Sequence, residues 1–324
     1  MAPIYPTSSV DRDRWILQQR PARNVVDPAR PHLFFVESER SASGEVVPVA
    51  TIFLTNRECP WRCLMCDLWK NTLEETVPVG AIPGQIAAAL SELTRAVEKP
   101  RQIKLYNSGS FFDPRAVPVA DYPAIVEQVQ GFDRVIVECH PALVGDSCAR
   151  FNDAIGGKLE VALGLETVHP AVLEKLNKRM TLESFQRAAE FLRQHEISLR
   201  VFVLVKPPFM DETAALEWAC KSVDWAFACG ASVVSLIPTR PGNGALDALA
   251  QQGDFTPPRL ETLEASLDYG IGLKRGRVFA DTWELKRFSS CNNCFDARKH
   301  RLEQINLNQQ WIPRVECGCP SPGI

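Results

Sequence analysis

From "VATIFLT" (49–55) onward, short β-branched runs alternate with amphipathic stretches, and this alternation restricts the possible folds more than any other feature of the chain. The runs "QIKLYN" (102–107), "RVIVEC" (134–139), "LEVALGLE" (159–166), "LRVFVLV" (199–205) and "SVVSLI" (232–237) predict five further strands. Helices are predicted between them over 84–99, with Ile86, Leu90, Leu93 and Val97 on one face, and over 121–129, about 146–155, 170–177, 182–195 and 212–229. Thr181 serves as an N-cap, and Gly230 stops the last of these helices in a left-handed cap. A long loop (238–255) follows, then a helix from Thr256 and Pro257 carrying Leu260, Leu263 and Leu267, and a final strand in "RVFADTWEL" (277–285). Parallel neighbours need crossover helices, and near-continuous apolar strands fit burial on both faces. Six to seven such units curl into a partial (β/α)6 barrel, whose active site lies at the carboxyl ends of the strands.

Three segments are expected: an N-terminal extension (1–48), partly helical near "DRDRWILQQ", the barrel (49–286), and a cysteine-containing tail (287–324) with little core of its own. The 324 residues are 45% hydrophobic and 23% charged, an ordinary globular balance. A net charge of −3 gives no global signal for nucleic acid, although "LKRGR" (273–277) and "ARKHR" (297–301) are locally basic. The first residues lack the apolar region of a signal peptide, and no stretch has the ~18 apolar residues that crossing a bilayer requires. The expected compartment is therefore the reducing cytoplasm, where eleven cysteines stay thiols or bind metal.

Those cysteines are grouped. Cys59, Cys63 and Cys66 in "NRECPWRCLMCDLW" follow the first barrel strand at spacings of four and three. Cys291 and Cys294, then Cys317 and Cys319, lie in the tail, and Cys139, Cys148, Cys220 and Cys229 stand singly. Cys220 shares a helical face with Leu216, Val223 and Phe227 and reads as a core residue. Three thiolates can hold three corners of a cubane iron–sulfur cluster that normally takes four, leaving one iron open to a ligand. A zinc site completed by a distant histidine is the alternative, although zinc favours paired ligands with a longer insert.

C-x3-C-x2-C on the loop after the first strand of a six-unit β/α barrel resembles the radical S-adenosylmethionine (SAM) superfamily. The resemblance implies a [4Fe–4S] cluster on Cys59, Cys63 and Cys66, with the amino and carboxylate groups of SAM chelating the fourth iron. One electron from an external donor then cleaves SAM to methionine and a 5′-deoxyadenosyl radical that abstracts a substrate hydrogen. It also places Met65, where the family often has an aromatic residue, near the adenine. In place of a G-G-E-like turn, "NSGSFFD" offers Ser108, Gly109 and Ser110 for the methionine amino group, with no glutamate. Glu166 in "GLET" matches a residue at the ribose or amino group, and Lys178 and Arg179 in "NKRMT" could face the carboxylate or pair with Glu166. Longer strings ("YNSGSFFD", "VECHPALV", "GLET…NKRMT", "LVKPPFMDE" and the closing C-x-C) are similar to the radical subunits of archaeosine synthases. More loosely, they resemble the radical domain of elongator acetyltransferase subunits. That likeness implies a modified nucleoside as substrate, in tRNA. Lys206 and Arg240, at strand ends, then either grip phosphate or carboxylate or serve as structural ion pairs. His140 is either a substrate-side group or a structural histidine.

In the tail, Cys291, Cys294, Cys317 and Cys319 supply four thiolates, enough for a closed zinc site or a second [4Fe–4S] cluster, with zinc preferred. Lys286, Arg287, Arg298, Lys299 and Arg301 make this end the most basic and a phosphate-contacting surface in prospect. The sequence thus points to a radical SAM enzyme acting on a nucleobase in RNA. An enzyme on a free metabolite or peptide and a non-catalytic metal-bound RNA adaptor are the alternatives, and the weakly acidic charge favours the metabolite over RNA.

Overall fold

The computed structural model describes residues 5–93 and 99–318. Val97 and Cys319 lie outside the described residues. The elements run α1 (Ser9–Gln19), β1 (Leu33–Arg40), β2 (Val46–Phe53), α2 (Ala81–Leu93), β3 (Gln102–Tyr106), α3 (Tyr122–Val129), β4 (Arg134–Cys139), α4 (Asp146–Ala154) and β5 (Leu159–Glu166). They continue α5 (Pro170–Lys175), α6 (Leu182–Gln194), β6 (Ser198–Val205), α7 (Glu212–Ala228), β7 (Val233–Pro238), α8 (Ala245–Gln252), α9 (Leu260–Leu273), β8 (Arg277–Ala280) and α10 (Phe295–Asn308). All eight strands form one curled sheet in sequence order; β1 is antiparallel to β2 and every later pair is parallel. This is the expected partial barrel with flanking helices. Thr181 caps α6 in a reciprocal capping box with Ser184, and Gly230 takes φ 90° after α7.

Four expectations need correction. The extension supplies β1, whose alternation was masked by the charges in "ESER". The 238–255 loop contains α8, because Leu246 and Leu249 find a second apolar cluster to join. The α9 helix starts at Leu260 rather than Thr256, since the two prolines at 257 and 258 hold the chain extended. The last strand ends at Ala280, and the tail forms α10, whose Leu302 and Ile305 belong to the main core.

Period-two alternation sorts the sheet into two faces. Ile52, Leu105, Val137, Leu163, Val201 and Leu236 point toward the helices and are fully buried. The other face lines the lumen, and it is charged at the bottom. Lys104 Nζ meets Glu39 at 2.6 Å and Glu37 at 2.8 Å, while Arg200 meets Glu39 at 2.6 Å and Glu160 at 2.7 Å. Burial alone would raise the Glu39 pKa, but Arg200 and Lys104 hold it far below the usual carboxylate range. The seam between β1 and β8 is spanned at this level by Arg277, which donates to the Arg40 carbonyl at 2.9 Å. The open edge of β8 is satisfied by side chains. Asn306 exchanges two hydrogen bonds with Ala280 and Gln309 two with Val278, so α10 stands in for a ninth strand.

Candidate active site at the carboxyl end of the barrel

The cysteine loop leaves β2 at the carboxyl rim, and its backbone is laced to its neighbours by hydrogen bonds. Leu64 N–H donates to Leu176 O at 2.9 Å and Asn177 Nδ2 to Arg62 O at 2.8 Å. Asn243 Nδ2 bonds both Leu64 O and Cys66 O. Cys59, Cys63 and Cys66 are half-buried residues with free thiols. Desolvation pushes Cys63 up to about 12 and Cys66 well above its ordinary value, and the Lys178 ammonium opposes this at Cys63. A bound cation would reverse the balance by drawing off the protons.

Five of the other expected groups lie on or around this loop. Gly109 faces Cys59 so closely that a Cβ there would lie 3.0 Å from the Cys59 Cβ, which keeps the 108–110 turn flat against the cysteines. Ser108 holds φ 54°. Glu166, at φ 66° where the β5–β6 register shifts, pairs with Lys178 at 2.5 Å over Gly164. A Cβ at Gly164 would fall 2.1 Å from Lys178 Nζ, so a larger residue would push the pair off its present place over the strand. Lys178 is close enough for its charge to act on Cys59, Cys63 and Cys66. Met65 packs in a small apolar wall with Leu176, Leu204 and Ile237 at the ends of β6 and β7.

The remaining expected groups have protein partners. His140 stacks on Trp61 (3.7 Å, 11°), accepts from Ala142 N–H at Nδ1, and therefore carries its proton on Nε2, which bonds Lys178 O at 3.0 Å. Burial, with the Lys178 charge second, pushes its pKa down to about 3 and keeps the ring neutral. Ser110 Oγ accepts from His140 N–H at 2.7 Å. Arg179 turns outward to Asp13 and Ser9 O of the extension. Lys206 pairs with Glu212 at 2.6 Å and bonds Thr256, and Arg240 pairs with Asp281 at 2.8 Å. Of the basic tail residues, Arg298 and Arg301 are buried in ion pairs with Glu261, Glu264 and Asp268 on α9. Arg287 and Lys299 reach Glu284 and Glu303, so most of the expected phosphate-contacting surface is neutralised internally.

Sequence reasoning missed Glu138. Its carboxylate accepts from Asn107 N–H at 2.6 Å and from the N–H groups of Ser108 and Gly109, shaping the turn that lacks a glutamate of its own. Burial raises its pKa, and those donors oppose the rise. The signal was an acid interrupting the apolar strand "RVIVEC". Also missed was the clasp formed by the extension. Arg20, Arg23 and Arg62 converge on the buried Glu58, at 2.8, 2.5 and 3.0 Å, immediately before Cys59. Trp15 and Ile16 of α1 pack with Leu64.

In the tail, Cys291, Cys294 and Cys317 place their sulfurs within 4.8 Å of one another, a cluster able to hold a metal ion. Among the described residues this is the one such group, so the sulfurs of Cys59, Cys63 and Cys66 do not all lie within that distance of one another.

The fold, a partial barrel with flanking helices, is of the radical SAM type. Among solved structures it is similar to Elp3 of the archaeon Methanocaldococcus infernus, lacking its N-terminus, with a TM-score of 0.52 and 14% identity over 69% of this chain and 59% of that one. The archaeosine synthase subunit beta of Methanosarcina acetivorans is 26% identical over 234 residues, 67% of this chain and 65% of that protein. An uncharacterized protein of Methanocaldococcus jannaschii is 24% identical over 316 residues, covering 92% and 87%. The match thus spans under two thirds of both the Elp3 chain and the archaeosine synthase subunit. No family model matches the chain.

Proposed function

We propose that the protein is a radical SAM enzyme that modifies a nucleoside in tRNA, with Cys59, Cys63 and Cys66 holding a [4Fe–4S] cluster. The observation that carries this reading is the gathering of three free thiols, a backbone turn and a buried Glu166–Lys178 pair at the mouth of one lumen. The donor set fits the group: three sulfurs too far apart for one shared ion suit separate iron corners and leave a fourth iron for SAM. Held by Cys59, Cys63 and Cys66, such a cluster would supply one-electron reduction of SAM, with the electron drawn from an external donor. The chain's own residues bind and orient. Glu138 fixes the 107–109 turn against Cys59, Lys178 supplies positive charge beside the thiolates and the methionine carboxylate, and Glu166 takes the amino or ribose groups. Met65, Leu204 and Ile237 offer the adenine an apolar wall.

For the tail the reading is one zinc ion on Cys291, Cys294, Cys317 and Cys319. Zn–S bonds of ~2.3 Å in a tetrahedron put thiolates about 3.8 Å apart. Cys291 and Cys317 lie 4.0 Å apart, which supports a single ion rather than a cluster. The tRNA substrate rests on the likeness to the archaeosine synthase subunit.

The test is metal content and SAM cleavage on protein purified without oxygen. About four irons and one zinc per chain, with 5′-deoxyadenosine formed under reducing conditions, is the expected result. Cys63→Ala should lose the iron and the cleavage while keeping the thermal melt. Zinc alone after reconstitution with iron and sulfide would overturn the radical reading, and cleavage surviving in Cys63→Ala would overturn the ligand assignment.

A further inference from the structure

Between the charged floor of the lumen and its Glu166–Lys178 roof lies a layer that the reading above leaves unused. Phe53 of β2, Tyr106 of β3, Phe202 of β6 and Ser235 of β7 all face inward, alternating with buried residues of the helix-facing side. Side chains in the middle of an eight-stranded sheet are ordinarily buried, yet all four retain partial exposure. They therefore border open space. Trp283, on the turn after β8, extends the row outward across the seam and is 49% exposed. It meets Phe35 of β1 at 5.6 Å and Phe53 at 6.1 Å.

The geometry of these contacts matters more than their number. Phe53–Tyr106 (5.8 Å, 68°) and Tyr106–Phe202 (6.3 Å, 83°) are edge-on, and the Trp283 contacts are tilted by 43° and 53°. None of these pairs is stacked, so flat faces remain uncovered. Two hydroxyls share the same space. Among the described residues, neither Tyr106 Oη nor Ser235 Oγ has a hydrogen-bond partner, and burial pushes the Tyr106 pKa up to about 12, so that it stays a donor. The turn that carries Trp283 is held rigidly. Arg240 pairs with Asp281 and donates to Trp283 O at 2.7 Å, while Trp283 N–H donates to Asp281 at 2.9 Å. Arg240 is thus a positioning residue for this turn.

We infer that this layer is a binding site for a planar heteroaromatic ring of nucleobase type, which lies against the uncovered ring faces of the row while Tyr106 and Ser235 bond its polar edge. Uncovered aromatic faces provide stacking that every base accepts, and the unpartnered hydroxyls select a ring with polar substituents over a hydrocarbon. The lumen floor offers no competing charge, since its cations and acids are paired. The inference rests on the proposed function for placing this ring beneath the SAM site, but its binding test does not require a loaded enzyme.

The test is equilibrium dialysis of the full chain against guanosine and, separately, ribose. Guanosine should bind and ribose should not. Trp283→Ala should weaken guanosine at least about tenfold, as loss of one base stack implies, and Tyr106→Phe, which keeps the ring, by about fivefold. Should Trp283→Ala shift the thermal melt, Phe35→Ala reads the same wall from the opposite edge. Equal binding of ribose, no guanosine binding in the millimolar range, or unchanged affinity in the Trp283 and Tyr106 variants would each overturn the site. SAM cleavage without substrate separates the two readings. If the wild type cleaves no SAM but loses guanosine on Trp283→Ala, the proposed function falls and the ring site stands. If cleavage proceeds and guanosine affinity ignores these residues, the ring site falls alone.

Discussion

At the residue scale, the site depends on backbone geometry held by buried side chains. Glu138 is the clearest case, because three N–H groups of the 107–109 turn converge on its carboxylate. Glu138→Ala should cost about 1–3 kcal/mol through unpaired donors and lower SAM affinity about tenfold, measured by a thermal melt and by dialysis against SAM. Glu138→Gln, which keeps an acceptor oxygen, should recover part of both. At Gly164, alanine would drive a methyl group into Lys178 Nζ and Glu166 Oε1, at 2.1 and 2.2 Å. Gly164→Ala should therefore separate the pair and abolish detectable SAM binding while iron content stays at the wild-type value.

At the scale of elements, α1 works as a clasp on the cysteine loop rather than as a loose extension. Tyr5 Oη bonds Lys175 O, Arg12 pairs with Glu174, and Asp13 meets both Asn177 and Arg179. Trp15 completes the apolar contact with Leu64. Trp15→Ala should cost about 3–5 kcal/mol if the site cannot collapse, and it should expose the cysteine loop. The expected consequence is faster loss of iron to a chelator, followed by absorbance, than in the wild type. An unchanged rate would mean that α1 does not shield the loop. The tail is latched by both α10 and its thiols. Removing the proposed zinc should lower the melting temperature by a few degrees and leave SAM cleavage largely intact, since Cys294 stands at the start of α10 and none of the trio bonds the cysteine loop in the hydrogen bonds described.

At the scale of the whole molecule, acid stability should follow the lumen floor. Glu39 is held ionised far below its unfolded value by Arg200 and Lys104, against the cost of its burial. A depressed carboxylate pKa contributes stability that is complete above the unfolded value of ~4.3 and is lost as pH falls below it. The melting temperature should therefore drop steeply below about pH 4. In Glu39→Gln that limb should flatten, with about 3–5 kcal/mol already lost at neutral pH because Arg200 and Lys104 keep their charges with fewer partners. No helix among the described residues is long and apolar enough to cross a membrane.

The sequence alone determined what short-range periodicity and spacing can encode. Alternating strand and helix patterns dictate the parallel units and their order, Thr181 and Gly230 dictate helix ends, and C-x3-C-x2-C puts three thiols on one loop. Tertiary structure decided what those residues face. Lys178 and Glu166 lie 12 positions apart yet form one buried pair, Arg20 reaches Glu58 across 38 positions, and Asn306 and Gln309 finish the edge of β8. The basic tail shows the same division, because a run of positive residues looks like a surface until α9 supplies the acids that bury Arg298 and Arg301. The physical reason is that a buried polar group takes its meaning from a partner, and the partner is chosen by how the sheet curls rather than by neighbours along the chain.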